Sequence, residues 1–154
     1  MKKIIILLVL VLTFGFIGCD NGSGDGDDDV YPSWSDDLMN GATKDTTYPF
    51  ISITFRIDTA NGYEELNFKR VDSSPNTMTY FFRYWDNTGY ILKNQMYNLV
   101  SVNGKEIKVE LLQIVEGKYV GLGDFYTFKY SRTGDTLTIS NSSWTVWNGE
   151  WVKQ

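Results

Sequence analysis

The chain has 154 residues, one cysteine, no histidine and a formal net charge of −5, a length that suits one domain with a sizeable core. Without histidine there is no side chain whose ordinary pKa lies near neutrality, so Ser-His-Asp and Cys-His catalysis and Cys/His zinc sites are excluded. The acidic balance argues against nucleic acid, whose binders cluster Lys and Arg to displace counterions.

The first element is an export signal. Met1-Lys2-Lys3 forms a short positive start, and residues 4–18 are almost wholly apolar. Fifteen residues are short for a spanning helix, which needs about 20. The run ends in Phe16-Ile17-Gly18-Cys19, which resembles the lipobox of bacterial lipoproteins, where a small residue precedes the cysteine. That resemblance implies cleavage before Cys19, a diacylglycerol on its sulfur and an acylated new amino terminus, palmitate-type chains among them. Two or more chains give stable anchoring at about 0.8 kcal/mol per buried methylene. The implied partner of Cys19 is therefore a lipid bilayer. A free thiol with no partner cysteine would be a liability in an oxidising compartment.

Residues 20–29, DNGSGDGDDD, hold five acidic residues. Aspartates spaced by glycine have the look of a calcium loop, but the single copy lacks the tandem repeats and flanking strands that such sites use. The composition reads instead as a self-repelling tether that spans roughly 17 Å root-mean-square. Counted from Cys19 the chain has twelve Lys or Arg against nineteen Asp or Glu, and from Val30 onward the balance is only −2. The acidity thus belongs mainly to the tether. The expected organisation is a signal over 1–18, a tether over 19–30 and a folded domain over 31–154.

A helical turn is expected over residues 33–41, with Ser33 or Ser35 as cap, Gly41 as stop and Trp34 at the barrel mouth; an ordered loop is the alternative. From Tyr48 onward the pattern has period two. Ile51, Ile53, Phe55 and Ile57 alternate with Ser52, Thr54 and Arg56, and Asn61-Gly62 then offers a tight hairpin turn. Further strands are expected over 63–71, 77–85, 90–102, 106–115, 119–130, 136–140 and 144–152, separated by breaks such as Asn103-Gly104, Glu116-Gly117 and Gly134-Asp135. Eight strands with hairpin connections predict an all-β, antiparallel up-and-down meander that closes as a barrel, with a two-sheet sandwich as the alternative.

The segments YTFKYSRTGDTLTIS (126–140) and NGEWVKQ (148–154) resemble the closing strands of small lipocalin-like lipoproteins of diderm bacteria. This resemblance implies a lipocalin-like barrel that holds a small apolar ligand, carried on the cell envelope. The acidic tether favours the outer over the inner membrane. The predicted protein is a monomer without cofactor or metal.

Two aromatic groups are candidate ligand-binding residues. On one strand Tyr80, Phe82 and Tyr84 share a face with Met78, while Trp85 lies on the other face with Phe81. Near the C-terminus stand Trp144, Trp147 and Trp151, read either as exposed indoles for a glycan or host-protein surface or as buried indoles closing the barrel. Catalysis has little to stand on. Adjacent Glu64 and Glu65 project to opposite faces of a strand, Asp124 is isolated between glycine-rich turns, and no nucleophile elbow, phosphate loop or dinucleotide fingerprint occurs. The expectation is a non-enzymatic, membrane-anchored binding protein, with a surface interaction protein as the alternative. Cys19→Ser is expected to abolish radiolabelled lipid incorporation and release the protein from the membrane fraction; labelling that survives the substitution would contradict the lipobox reading.

Overall fold

The computed structural model describes residues 31–71, 74–86 and 89–154; the signal and tether lie outside the described residues. Nine strands follow in order: β1 (Thr43–Lys44), β2 (Phe50–Thr59), β3 (Gly62–Val71), β4 (Thr77–Asp86), β5 (Gly89–Asn103), β6 (Glu106–Val115), β7 (Lys118–Thr133), β8 (Thr136–Ser140) and β9 (Gly149–Lys153). Each pairs antiparallel with the next, and β2 pairs again with β9, so β2 to β9 close an eight-stranded lipocalin-like barrel on which β1 is a short addition. That closure excludes the two-sheet sandwich.

The alternation in the sequence places the side chains. Ile53 and Phe55 on β2, Leu66 and Phe68 on β3, and Met78 and Tyr80 on β4 point inward and are at most 3 % exposed. Their odd-numbered or even-numbered neighbours face solvent, where Arg56 covers the ring of Tyr63 at 3.8 Å and Tyr63 in turn meets Phe81. At the turns the positive φ angles of Gly104, Gly134 and the Glu116-Gly117 pair meet the demand of two-residue hairpins. The expected Asn61-Gly62 turn differs. The loop residues are Ala60 and Asn61, while Gly62 opens β3, where a side chain would collide with the Arg83 carbonyl of β4.

The two barrel ends are built differently. One end carries the β3–β4, β5–β6 and β7–β8 turns and is sealed by residues 31–42. These form turns rather than a regular helix, with Met39 N–H donating to the Ser35 carbonyl at 3.1 Å. Trp34, Leu38 and Met39 fill the opening, at 1, 0 and 4 % exposure, and the Trp34 indole donates to the Lys69 carbonyl at 3.0 Å. Buried Asn76 ties this plug to the barrel: its carboxamide accepts from Val71 N–H at 2.8 Å and donates to the Pro32 carbonyl at 2.7 Å. Arg132 donates to the Asp37 and Leu38 carbonyls, and the Asp37 carboxylate accepts from Lys105 and from the Tyr130 hydroxyl.

The opposite end carries the β2–β3, β4–β5 and β6–β7 turns and the β8–β9 connection. Here the sequence pattern misled. The expected strand over 144–152 is a 3₁₀ turn, Thr145–Trp147, followed by β9 from Gly149. Ser142 and Asn148 close this connection on itself, and Ser143 clamps it to Thr127 of β7 through two hydrogen bonds of 2.8 and 2.9 Å. An alternating register cannot survive a 3₁₀ turn, so Trp147 is swung into the barrel instead of alternating along a strand.

Trp34→Ala is expected to cost about 3–5 kcal/mol in urea unfolding; a loss of ~0.5 kcal/mol, typical of surface sites, would mean the segment covers the end without sealing it. Burial alone would raise the Asp37 carboxyl, but hydrogen bonds from Lys105, Ser35 and Tyr130 outweigh it and hold it at about 2, below its ordinary 3.8. The contribution is therefore fully present above 3.8 and lost as pH falls towards 2. With 43 % of the side chain exposed, it is worth well under the roughly 2 kcal/mol of an unscreened shift. Asp37→Asn is expected to lower stability at neutral pH, with the difference from wild type vanishing in melts near pH 2; a difference that persists there would contradict the ion-pair account.

Candidate functional site: an aromatic cup at the open end

At the end opposite the plug, side chains that point inward are no longer fully covered. Ile57, Glu64, Phe82, Gln95, Leu111 and Tyr126 all have inward register yet are only partly buried, as is Trp144 of the β8–β9 connection, and Tyr84 at the rim reaches 37 % exposure. One layer below them Tyr80, Tyr97, Val109, Phe128 and Trp147 are at most 3 % exposed. The barrel is thus a cup, closed below by a floor of rings and open above.

The floor is a connected set of aromatic contacts. Trp147 stands edge-on to Tyr97 at 5.1 Å and to Phe128 at 5.6 Å, and Trp144 lies 5.2 Å from it. Trp144 also meets Tyr80 edge-on at 5.5 Å and Tyr126 at 5.6 Å. Up the wall of β4, Tyr80 is followed by Phe82 at 5.6 Å, and Phe82 stacks on Tyr84 at 5.8 Å with 13° between planes. Offset and edge-to-face geometries of this kind add about 0.5–1.5 kcal/mol per pair beyond area burial, so the floor is stiff.

Polar groups are few and converge on the same space. The Tyr80 hydroxyl donates to Glu64 Oε2 at 2.8 Å, and the Tyr97 hydroxyl to Gln95 Oε1 at 3.2 Å. Burial, reinforced for Tyr80 by Glu64 and for Tyr97 by its tyrosine neighbours, pushes both phenols well above their ordinary value of 10. Both therefore stay neutral donors at any physiological pH. The Trp147 Nε1–H lies buried among the floor rings with no acceptor of its own. A buried donor left unmade costs about 1–3 kcal/mol, which an acceptor placed against it would recover. Lys93, paired opposite Phe82, brings the one cation on this face of β5.

The sequence-derived candidates divide accordingly. Tyr80, Phe82, Tyr84, Trp144 and Trp147 come together in the cup. Trp151 does not line it: it is fully buried on β9, with its indole donating to the Trp147 carbonyl at 3.0 Å, and supports the floor from beneath. Trp85 lies on the outer face of β4, 53 % exposed. Glu64, Gln95, Tyr97 and Tyr126 were missed, although each shares its strand face with core residues such as Leu66, Leu99 and Phe128. Their alternation was readable; that three separate strands bring them to one space follows only from closure. Glu65 faces outward opposite Arg56, so Glu64 has no second carboxylate beside it on β3. Among the described residues no group of three or more acidic or cysteine side chains is placed to hold a metal.

No family model, no curated protein and no solved structure matches the chain.

Acrylamide is expected to quench mainly Trp85, leaving Trp34, Trp147 and Trp151 shielded. Trp85→Phe should then remove most of the quenchable emission, and a quenching curve unchanged by that substitution would contradict the burial pattern.

Proposed function

We propose that this protein is a non-enzymatic, lipid-anchored barrel of a bacterial cell envelope that holds a small apolar, ring-bearing ligand in its aromatic cup. The observation that carries the reading is the asymmetry of the ends. The same inward-facing alternation that is sealed by Trp34, Leu38 and Met39 at one end is only partly covered at Phe82, Leu111, Tyr126 and Trp144 at the other. A concave, mainly aromatic surface with a few convergent polar groups is the usual form of a small-ligand site. Neutral phenol donors, one carboxylate and the unpaired Trp147 N–H supply orientation. Anchoring through Cys19, with the outer membrane favoured, places such a receptor where it meets envelope or external ligands.

A second reading, recognition of a protein or glycan through exposed aromatics, draws on a different observation. Among the described residues, Tyr84, Trp85, Leu92, Ile114, Tyr119 and Leu122 are exposed and all lie at the cup end. The two readings make opposite demands on the indoles. With N-phenyl-1-naphthylamine as probe, Trp144→Ala is expected to weaken binding by about fivefold or more, the factor that corresponds to losing a stacking partner worth about 1–3 kcal/mol. Trp85→Ala should leave the affinity unchanged. A probe that does not bind, or that responds to Trp85 and not Trp144, would overturn the cup reading.

A further inference from the structure

The barrel wall is interrupted beside the cup. β5 pairs with β6 only from Met96↔Leu112 to Asn103↔Glu106, so β5 up to Gln95 and β6 beyond Leu112 face each other without ladder pairing. On their other sides the pairing continues, β5 with β4 to Asp86↔Gly89 and β6 with β7 to Val115↔Lys118. Above the split the wall therefore consists of two separate hairpin arms. A bulge accompanies the separation. The β6–β7 register shifts between Glu110 and Leu112, Gly123 takes φ 77°, and its N–H donates to Glu110 Oε1 at 3.0 Å. Bulges bend the strand that carries them and increase its local twist, and this one lies at the level where β6 stops pairing with β5.

Between the arms, on the outer surface, lies an open groove of ≈ 420 Å³ walled by Met96, Leu112, Ile114, Tyr119 and Leu122. Ile114 and Leu122 stand 63 and 46 % exposed, in a run of apolar side chains that no other part of the domain covers. The groove and the cup share Gln95 and Leu111, whose side chains face inward while the residues also line the groove at the split. The groove therefore adjoins the cup at the point where the ladder stops. The cup offers rings and hydrogen-bonding groups; the groove offers a narrow apolar track.

We propose that the ligand is a single-chain amphiphile, with its polar or ring-bearing end in the cup and its alkyl chain laid through the split along Leu112, Ile114 and Leu122. This rests on the cup being the binding site. Gln95 and Gln113 flank the passage, and their carboxamides carry both donors and acceptors for a polar linkage between the two parts of such a molecule. An alkyl chain fits the track because it covers exposed apolar surface without asking for hydrogen bonds that the walls lack.

The test is a homologous series of N-butyl-, N-octyl- and N-dodecyl-1-naphthylamine, with N-phenyl-1-naphthylamine as the probe without an alkyl chain. Affinity is expected to rise by about fourfold per methylene until the groove is filled. The double substitution Ile114→Asp/Leu122→Asp, at exposed positions, should flatten that dependence and leave the affinity for the chainless probe unchanged. If the chainless probe binds but the wild-type series is flat, the amphiphile inference falls and the cup reading stands. A steep series indifferent to the double substitution also overturns it, because the chain then lies elsewhere. Binding to phosphatidylcholine vesicles that the double substitution abolishes, with a flat soluble series, would make the groove a membrane contact instead. If no naphthylamine of any length binds, the cup reading itself fails.

Discussion

The barrel is held shut by its filling more than by its seam. β2 and β9 meet over only two register pairs, Phe55↔Lys153 and Arg56↔Val152, with one added hydrogen bond from Gln154 N–H to the Thr54 carbonyl at 3.0 Å. A ladder that short adds little by itself, since each net hydrogen bond contributes about 1 kcal/mol. What keeps eight strands curved around one axis is the set of rings inside. Trp151 sits on the seam strand, Trp147 rests on it, and Tyr97 and Phe128 brace Trp147 from the far wall. The floor of the cup and the closure of the barrel are thus one structure.

That coupling explains why the ends differ. A barrel of eight strands has room for one or two layers of large side chains. Trp151 fills the middle, the plug of residues 31–42 supplies Trp34 for one end, and the β8–β9 connection supplies Trp147 and the partly buried Trp144 for the other, which it covers less completely. The open layer is not an accident of a missing residue. It is lined by Phe82, Tyr126 and Trp144, large rings that are left partly exposed where smaller or covered residues would be the stable choice.

Much of the fold was legible because alternation is local. Met78, Tyr80, Phe82 and Tyr84 announce one face of β4 from sequence alone, and Glu116-Gly117 and Gly134 announce their turns through positive φ. The plug was legible through its isolated Trp34, while the expected capping serines cap no helix: the Ser35 hydroxyl bonds Tyr130 instead. Trp147 was not legible. Its neighbours Thr145 and Val146 favour a strand, and only the clamp of Ser143 on Thr127 and the Ser142–Asn148 closure turn that segment inward. The split between β5 and β6 was half hidden: the apolar pattern of β6 changes sides at Leu111-Leu112, with Gln113 inward and Ile114 outward, but that mark does not say which neighbouring strand is lost. The loss accompanies two register shifts, at Leu99/Ser101 and Glu110/Leu112, which are properties of pairing. The site was accordingly half visible: its rings could be named, but which of them share a space depended on closure.

The central claim is that Trp144 and Trp147 lie beneath an open cup whose occupant reaches them, while Trp34 closes the far end. Indole ¹⁵N–¹H spectra of the full domain during titration with N-phenyl-1-naphthylamine test this most directly, since each of the tryptophans reports on its own place. The account predicts that the Trp144 and Trp147 resonances shift and that Trp34 does not. Shifts confined to Trp85 on the outer face, or reaching Trp34 and leaving Trp147 unmoved, would contradict it.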